Sequence, residues 1–253
     1  MGPEIRFEQV TRRFGAVTAV DAVDLTIAPG SFVALVGESG SGKSTLLRAI
    51  NRLDEGATRG GRVTIGGEDT TATPLTALRR RIGYVFQSIG LFPHMTVAAN
   101  VAIGRRVRGE TLGEAEIAAL LDQVGLPANF AGRMPRELSG GQAQRVGIAR
   151  ALAIEPEILL LDEPFAALDP VTRDALGKTV RALHEARRLT TILVTHDMAE
   201  AMLLADRVIV LAAGKIVADA SPAQLAAGRG GAEAEALVAV PREQARRIAE
   251  LGG

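Results

Sequence analysis

The chain has 253 residues, of which 47% are hydrophobic but only 3% aromatic, so its core must rest on Ala, Val, Leu and Ile. Lys+Arg and Asp+Glu each number 29, a formal net charge of zero, which argues against the basic surplus of a broad nucleic-acid footprint. The absence of cysteine excludes disulfides and Cys-ligated zinc.

The length suits one large domain or a core with a subdomain. Ile5 to Val10 and Val20 to Ile27 alternate apolar and polar residues, as antiparallel strands do, with turns at Phe14-Gly15 and Pro29-Gly30. Phe14 is a candidate platform for a base ring, because an aromatic face stacks on any purine; plain core packing is the alternative. Phe32-Val33-Ala34-Leu35-Val36 reads as a buried strand and Thr45 to Ile50 as a helix. Between them runs Gly37-Glu38-Ser39-Gly40-Ser41-Gly42-Lys43-Ser44-Thr45. This is GxxxxGK[ST] in the strand, loop and helix context in which the pattern binds phosphate. Its glycines let backbone N–H groups turn inward around a polyphosphate, and the helix start adds partial positive charge. Lys43 can reach the β- and γ-phosphates, and the Ser44 hydroxyl can hold Mg²⁺. Lysine occurs only at 43, 178 and 215, so one inside this loop is hard to read as an accident.

Asp54 to Gly61 reads as a Gly-rich, charged loop, Arg62 to Gly67 as a short strand and turn, and Leu75 to Arg81 as a short basic helix. Ile82 to Phe86 is a strand ending at Gln87. That glutamine could touch Mg²⁺ or orient a water if the strand end faces the phosphates; alone it reads as a surface residue. From Thr96 to Ala153 the period turns helical, with Val97, Val101 and Ile103 in one helix and Leu112 to Val124 in a second, stopped by Gly125-Leu126-Pro127. This looks like a helical insert in an α/β core. His94 reads as an exposed contact residue in a loop, not a metal ligand. Ser139 can cap the helix that runs on to Ala153, and Gly140 and Gly141 bare its first amides, making a second anion-binding helix start.

Ile158 to Leu161 is an apolar strand running into Asp162-Glu163-Pro164. An aspartate at such a strand end can hold Mg²⁺, and the adjacent glutamate could polarise a water. Asp169-Pro170 leads into a long helix, with Val171, Ala175, Leu176, Val180 and Leu183 expected on one face and His184 solvated near its end. Thr191 to Thr195 is a buried strand ending at His196, placed to donate to a γ-phosphate. A helix over Met198 to Leu204 follows, then a hairpin around Gly214, a short helix opened by Ser221-Pro222, and a helical tail from Ala232 to Leu251. Met1 to Arg6 has no secretory apolar region, and no stretch approaches the ~18 apolar residues of a spanning helix. A soluble, cytoplasmic chain is expected, with any membrane role exercised through a partner.

Together these segments resemble the ATP-binding-cassette (ABC) ATPase family over roughly Ile5 to Ala227. Phe14 matches the adenine-stacking aromatic, GESGSGKST the Walker A loop, Gln87 the Q-loop, and Leu138 to Gln142 the LSGGQ signature. Ile158 to Pro164 matches Walker B, Ala167 to Pro170 the D-loop, and His196 the switch histidine. The resemblance implies an α/β fold: a RecA-like P-loop core with an antiparallel β subdomain (1–87 and 154–220), a helical subdomain (88–153) and a C-terminal tail (221–253). It implies ATP and Mg²⁺ as cofactors. Lys43 and the loop amides would bind phosphate, Ser44, Gln87 and Asp162 would serve Mg²⁺, Glu163 would be the general base and His196 would contact the γ-phosphate. Ser139, Gly140, Gly141 and Gln142 would act in trans, closing over ATP held by a second copy in a head-to-tail homodimer.

Asp162 to Asp169, DEPFAALD, is similar to importer ATPases. Ile82 to Thr96 is similar to the corresponding segment of osmoprotectant importers, whose cargo is glycine betaine, choline and related amines. This implies integral-membrane permease subunits and an extracytoplasmic solute-binding protein as partners, with the chain peripheral on the inner face of the membrane and no nucleic acid bound. The alternatives are an amino-acid importer, or a soluble family member acting on nucleic acid. The latter relatives usually carry coiled-coil insertions, zinc modules or tandem cassettes, which this sequence lacks. A P-loop kinase would have no place for LSGGQ. Several osmoprotectant importers end in paired regulatory CBS modules; the sequence stops before any such pair, so that form of ionic-strength sensing is not expected.

Overall fold

A computed structural model describes residues 1–88 and 90–251; Ile89, inside the importer-like segment, and Gly252-Gly253, at the end of the expected tail, lie outside them. Glu4–Ala72 with Ile192–Gly253 forms one compact unit, and Met1–Pro3 with Thr73–Thr191 forms another.

The first unit opens with an antiparallel hairpin of β1 (Ile5–Phe14) and β2 (Val17–Ile27). Ile5, Phe7 and Val10 point into the core while Arg6 and Gln9 are exposed, the alternation that a half-buried sheet requires. β3 (Phe32–Val36) is buried along its whole length and leads into α1 (Lys43–Ile50). β4 (Thr58–Ile65) and β5 (Glu68–Asp69) complete a four-stranded sheet in the order β2-β1-β4-β5. The expected loop from Asp54 to Gly61 is therefore half strand: Thr58, Arg59 and Gly60 pair with Arg13, Arg12 and Thr11. The register shifts between Glu8 and Thr11, and Gly61 sits opposite at φ +71, where a Cβ would fall 2.2 Å from the Gln9 carbonyl oxygen. A bulge that only glycine can face lets a weak strand sequence pair with β1.

In the second unit come α2 (Leu75–Arg80), β6 (Ile82–Val85), α3 (Val97–Arg106), α4 (Glu114–Gln123), α5 (Gly140–Leu152), β7 (Ile158–Asp162) and α6 (Pro170–Arg187). β6 and β7 are parallel, with Tyr84 opposite Leu160. The helical insert lies whole within this unit, α5 packing on α3, α4 and β6. Thr96 caps α3, its Oγ1 accepting from Ala99 N at 3.2 Å. Fully buried Asn100 accepts from Phe92 N and donates to the carbonyls of Phe92, Met95 and Thr96. These bonds order the loop and leave His94 exposed as expected.

Two expectations for α6 are corrected. Its inward face is Leu176, Gly177, Val180, Leu183 and His184, whereas Val171 is 80% exposed and Ala175 is also exposed. The first turn meets α5 through Thr172, whose Cγ2 would lie 2.7 Å from a Cβ on Gly141, so the buried stripe is rotated away from Val171. His184 is not solvated. It continues that stripe, is 4% exposed, and its Nδ1 lies 3.0 Å from Thr191 Oγ1 at the start of β8 (Thr190–Val194).

The boundary between the units falls inside β8. Beyond it, α7 (Met198–Leu204) packs on β3, and β9 (Arg207–Ala212) pairs in parallel with β3 and antiparallel with β10 (Lys215–Ala220). α8 (Pro222–Ala226) is capped by Ser221. The tail is α9 (Ala232–Leu251), held to α7, α8 and β10 with Ala234 and Val238 buried. The largest fully buried side chains include Phe32, Leu35, Leu46, Leu47 and Ile50 of the segments flanking the glycine loop. Each is worth ~1.5–3 kcal/mol, so the loop is suspended between two of the best-packed elements of its unit.

Candidate functional site

The glycine loop has its shape because two backbone positions exclude a side chain. Gly37 is at φ +150, and a Cβ there would fall 2.1 Å from the Leu211 carbonyl oxygen. Gly42, the residue before α1, is at φ +103 with Ala19 O 2.3 Å from the Cβ position. Both are left-side conformations that favour glycine. Ser41 O accepts from Gly214 N at 3.0 Å, pinning the loop to the β9–β10 turn. Inside the loop Lys43 is 5% exposed, and its Nζ donates to Gly37 O at 2.8 Å and Glu38 O at 2.7 Å. A buried ammonium needs such oxygens, or an anion in their place. Glu38, Ser39 and Gly40 are exposed at the rim, and Ser44 and Thr45 are half-buried on the first turn of α1.

Phe14, at the end of β1, is 39% exposed; it is not a core residue, which leaves the base-stacking reading standing. Its hairpin is fastened to the loop's own helix at both ends. The register of β1 and β2 shifts at Ala19, between the Arg12–Val20 and Arg13–Thr18 pairs, and that residue's carbonyl abuts Gly42. At the other end Arg12 Nε donates to Asp54, just past α1. Arg12 Nη1 donates to Gly60 O at 3.0 Å, and Arg59 pairs with Asp54 at 2.8 Å. Arg12 and Asp54 are 5% and 3% exposed. Nothing in the sequence marks this pair.

His196 is exposed at the short bend after β8. Thr195 N donates to Leu35 O at 3.2 Å, tying this strand end to β3. Thr195 Oγ1 donates to Glu200 at 2.6 Å and accepts from Asp197 N, while Asp197 caps α7.

The second unit holds the carboxylates. Asp162, the last residue of β7, is fully buried and accepts from Tyr84 Oη at 2.9 Å. Glu163 follows at φ +47, a left-handed turn that swings its side chain out of the strand. Gln87 Nε2 donates to Glu163 Oε2 at 3.2 Å, so the structure brings together two of the sequence candidates that are far apart in the chain. Ser139 caps α5, its Oγ accepting from Gln142 N at 3.3 Å while Gln142 Oε1 accepts from Ser139 N at 3.0 Å. Ser139 and Gly140 are exposed, and a Cβ on Gly140 would meet nothing within 4 Å. The glycine start of α5 is therefore open to an anion and not sealed by its own core.

The donors assigned to a metal are hydroxyl, amide and carboxylate oxygens, a hard set with one carboxylate. That suits Mg²⁺, which binds one or two protein carboxylates and completes its shell with phosphate and water. The set falls short of an all-protein cage, in line with the absence, among the described residues, of any cluster of three or more His, Cys, Asp or Glu placed for a metal.

A lysine enclosed by a glycine loop at a helix start defines the class: a P-loop protein that binds phosphate. The ABC transporter family profile matches residues 20–166, and the chain belongs to that family. It is 46% identical over 220 residues to the glycine betaine uptake system ATP-binding protein YehX of Escherichia coli, covering 86% of this chain and 71% of that one. It is 50% identical over 214 residues to the sulfate/thiosulfate import ATP-binding protein CysA of Mycobacterium bovis (84% and 60% covered). It is 44% identical over 224 residues to the glycine betaine/carnitine/choline transport ATP-binding protein OpuCA of Bacillus subtilis (87% and 58% covered). The chain thus spans less than two thirds of the latter two relatives' own length. Among solved structures it is similar to the dimeric post-hydrolysis state of the ATP-binding cassette MJ0796 bound to ADP and Pi. That likeness has a TM-score of 0.78 and 37% identity, covering 86% of this chain and 98% of that one.

Proposed function

We propose that this chain is the ATP-hydrolysing subunit of an ABC importer, working as a head-to-tail pair. The observation that carries the reading is the coexistence of two anion-binding helix starts in one chain. One encloses Lys43; the other, at Ser139-Gly140-Gly141-Gln142, is capped and open. The dimeric cassette with ADP and Pi supports a second copy as what the open one faces.

In this reading Phe14 stacks on the base, and the amides of Gly37 to Thr45 with Lys43 hold the β- and γ-phosphates. Ser44, Gln87 and Asp162 hold Mg²⁺, which supplies Lewis-acid neutralisation of phosphate charge. Glu163 accepts the proton of the attacking water, Gln87 orients the glutamate, and His196 donates to the γ-phosphate. The partner's Ser139 to Gln142 segment adds dipoles where charge develops. The domain division we propose is the one expected from the sequence, a nucleotide-binding core (1–87 and 154–220), a helical subdomain (88–153) and a tail (221–253).

The permease would meet the second unit at a cavity of about 530 Å³ whose walls include Phe86, Phe92 and Val107. These side chains are 41%, 41% and 79% exposed, and Arg79, Arg80, Arg108 and Arg150 also line the cavity. Among the described residues no helix is long and apolar enough to cross a membrane, so attachment to the inner face would run through that partner.

Glycine betaine, choline or a related amine is the first choice of cargo, supported by the names of the Escherichia coli and Bacillus subtilis relatives. Sulfate or thiosulfate is the second, supported by relatives of equal or higher identity. No relative named above is an amino-acid importer. The test is hydrolysis by the purified chain, then uptake by the reconstituted importer. Mg²⁺-dependent phosphate release that rises more steeply than linearly with protein concentration is expected. Strictly linear dependence would rule out the paired site. Stimulation by betaine-loaded but not sulfate-loaded binding protein decides the cargo.

A further inference from the structure

The geometry points to Tyr84 as a positioning residue for the carboxylate of Asp162, an inference that rests on the reading of Asp162 as the Mg²⁺ ligand. Asp162 closes β7 with 0% of its surface exposed. Tyr84 stands on the neighbouring parallel strand β6, opposite Leu160, and its Oη donates to Asp162 Oδ2 at 2.9 Å. The parallel register sends the phenol diagonally forward, two residues along β7, to the strand end where the carboxylate emerges.

Three features make this a positioning contact and not filler. The donor is neutral, so it fixes the plane of the carboxylate without bringing a rival cation to it, as an Arg or Lys would. The ring has an aromatic neighbour: Phe86 lies with its centroid 4.5 Å away, tilted at 46°, and packs against the phenol. The strand beneath it cannot shift freely, because a Cβ on the preceding Gly83 would lie 2.7 Å from Ala151 O of α5. Partners that orient a metal ligand in this way are typically worth 10–100-fold in metal affinity.

The chain has one tyrosine and no tryptophan, so emission excited at wavelengths too long for phenylalanine to absorb comes from Tyr84 alone. A phenol that donates to a carboxylate is quenched by it, and the quenching weakens when a divalent cation shares the carboxylate's charge. Wild-type protein saturated with a non-hydrolysable ATP analogue is expected to brighten saturably on titration with Mg²⁺. Tyr84→Phe removes only the hydroxyl and keeps the ring on Phe86. Followed by electron paramagnetic resonance with Mn²⁺ as probe, this variant should bind the ion ~10–100-fold more weakly in the presence of the analogue. Its affinity for the same analogue in excess EDTA should match wild type. Equal Mn²⁺ affinity in the two proteins, or emission indifferent to Mg²⁺, would overturn the inference. Asp162→Asn separates the two levels. If it leaves Mn²⁺ affinity unchanged, the assignment of Asp162 falls and this inference with it. If it abolishes Mn²⁺ binding while Tyr84→Phe changes nothing, only the role of Tyr84 falls.

Discussion

Gln87 and Glu163, 76 residues apart, are joined by a 3.2 Å hydrogen bond from the glutamine amide to the glutamate carboxylate. Glu163 holds a backbone conformation at φ +47 that costs on the order of 1–3 kcal/mol in a non-glycine residue and persists only where its surroundings hold it. The bond and the strained turn together set where the carboxylate stands at the end of β7. A glutamate so placed is oriented by a neighbour that carries no charge and does not compete for its proton.

Replacing that carboxylate tests its role. Glu163→Gln keeps the shape and the capacity for a hydrogen bond with Gln87 but cannot accept a proton. Hydrolysis should fall ~10²–10⁴-fold, the usual contribution of a general base, while ATP binding persists. Size-exclusion chromatography with ATP should show a dimer that no longer dissociates. Near-normal phosphate release would remove Glu163 from the role.

Lys43 should matter for binding first. Each hydrogen bond to a charged group is worth ~1.5–3 kcal/mol, so Lys43→Ala is expected to weaken ATP binding at least ~10-fold. Titration with a fluorescent ATP analogue reads this directly, and circular dichroism checks that the fold survives. Unaltered affinity would show that the ammonium stays on Gly37 O and Glu38 O when nucleotide binds.

The buried Arg12–Asp54 pair predicts a stability effect at a position that no motif covers. Removing one partner of a buried pair costs about 3–5 kcal/mol, so Arg12→Ala should lower Tm by roughly 6–20 °C for a chain of this size. Because Phe14 lies two residues on, base affinity should fall as well: ATP should lose affinity while inorganic tripolyphosphate, which has no base, should not. A Tm within a degree of wild type would show that the pair is not the anchor of the hairpin.

Asp169 carries a pH prediction. Its side-chain hydrogen bond with Thr172, followed by the Thr172 and Val171 backbone bonds, holds its carboxyl below the ordinary aspartate value. A depressed carboxylate stabilises the fold above its unfolded value and loses that contribution as pH falls through the lower folded one, here on the acid side of about pH 4. α6 should fray from its N-terminus in that window. Asp169→Asn, which can still cap but does not titrate, should abolish this part of the acid dependence. Thermal melts from pH 5 to pH 2.5 compare the two; parallel curves would refute the assignment.

Most of the architecture could be read from local pattern. The glycine loop, the strand-end Asp162-Glu163 and the capped Ser139-Gly140-Gly141 each advertise themselves within a few residues, because anion binding by backbone amides depends on short-range geometry. α7 and α9 have the bounds expected for them, Met198 to Leu204 and Ala232 to Leu251. What only the tertiary structure decided are contacts between residues far apart in the chain. Pairing with β1 makes strand out of Thr58 to Gly61; the first turn of α6 meets α5 through Thr172, which leaves Val171 outside the buried stripe. The closing of α6 on Thr191 buries His184, and the parallel register of β6 and β7 hands Tyr84 to Asp162. Such partners meet 7 to 78 positions apart, where nothing local selects them. The sequence marked the candidate groups, and the packing of strands and helices determined which neighbours hold them in place.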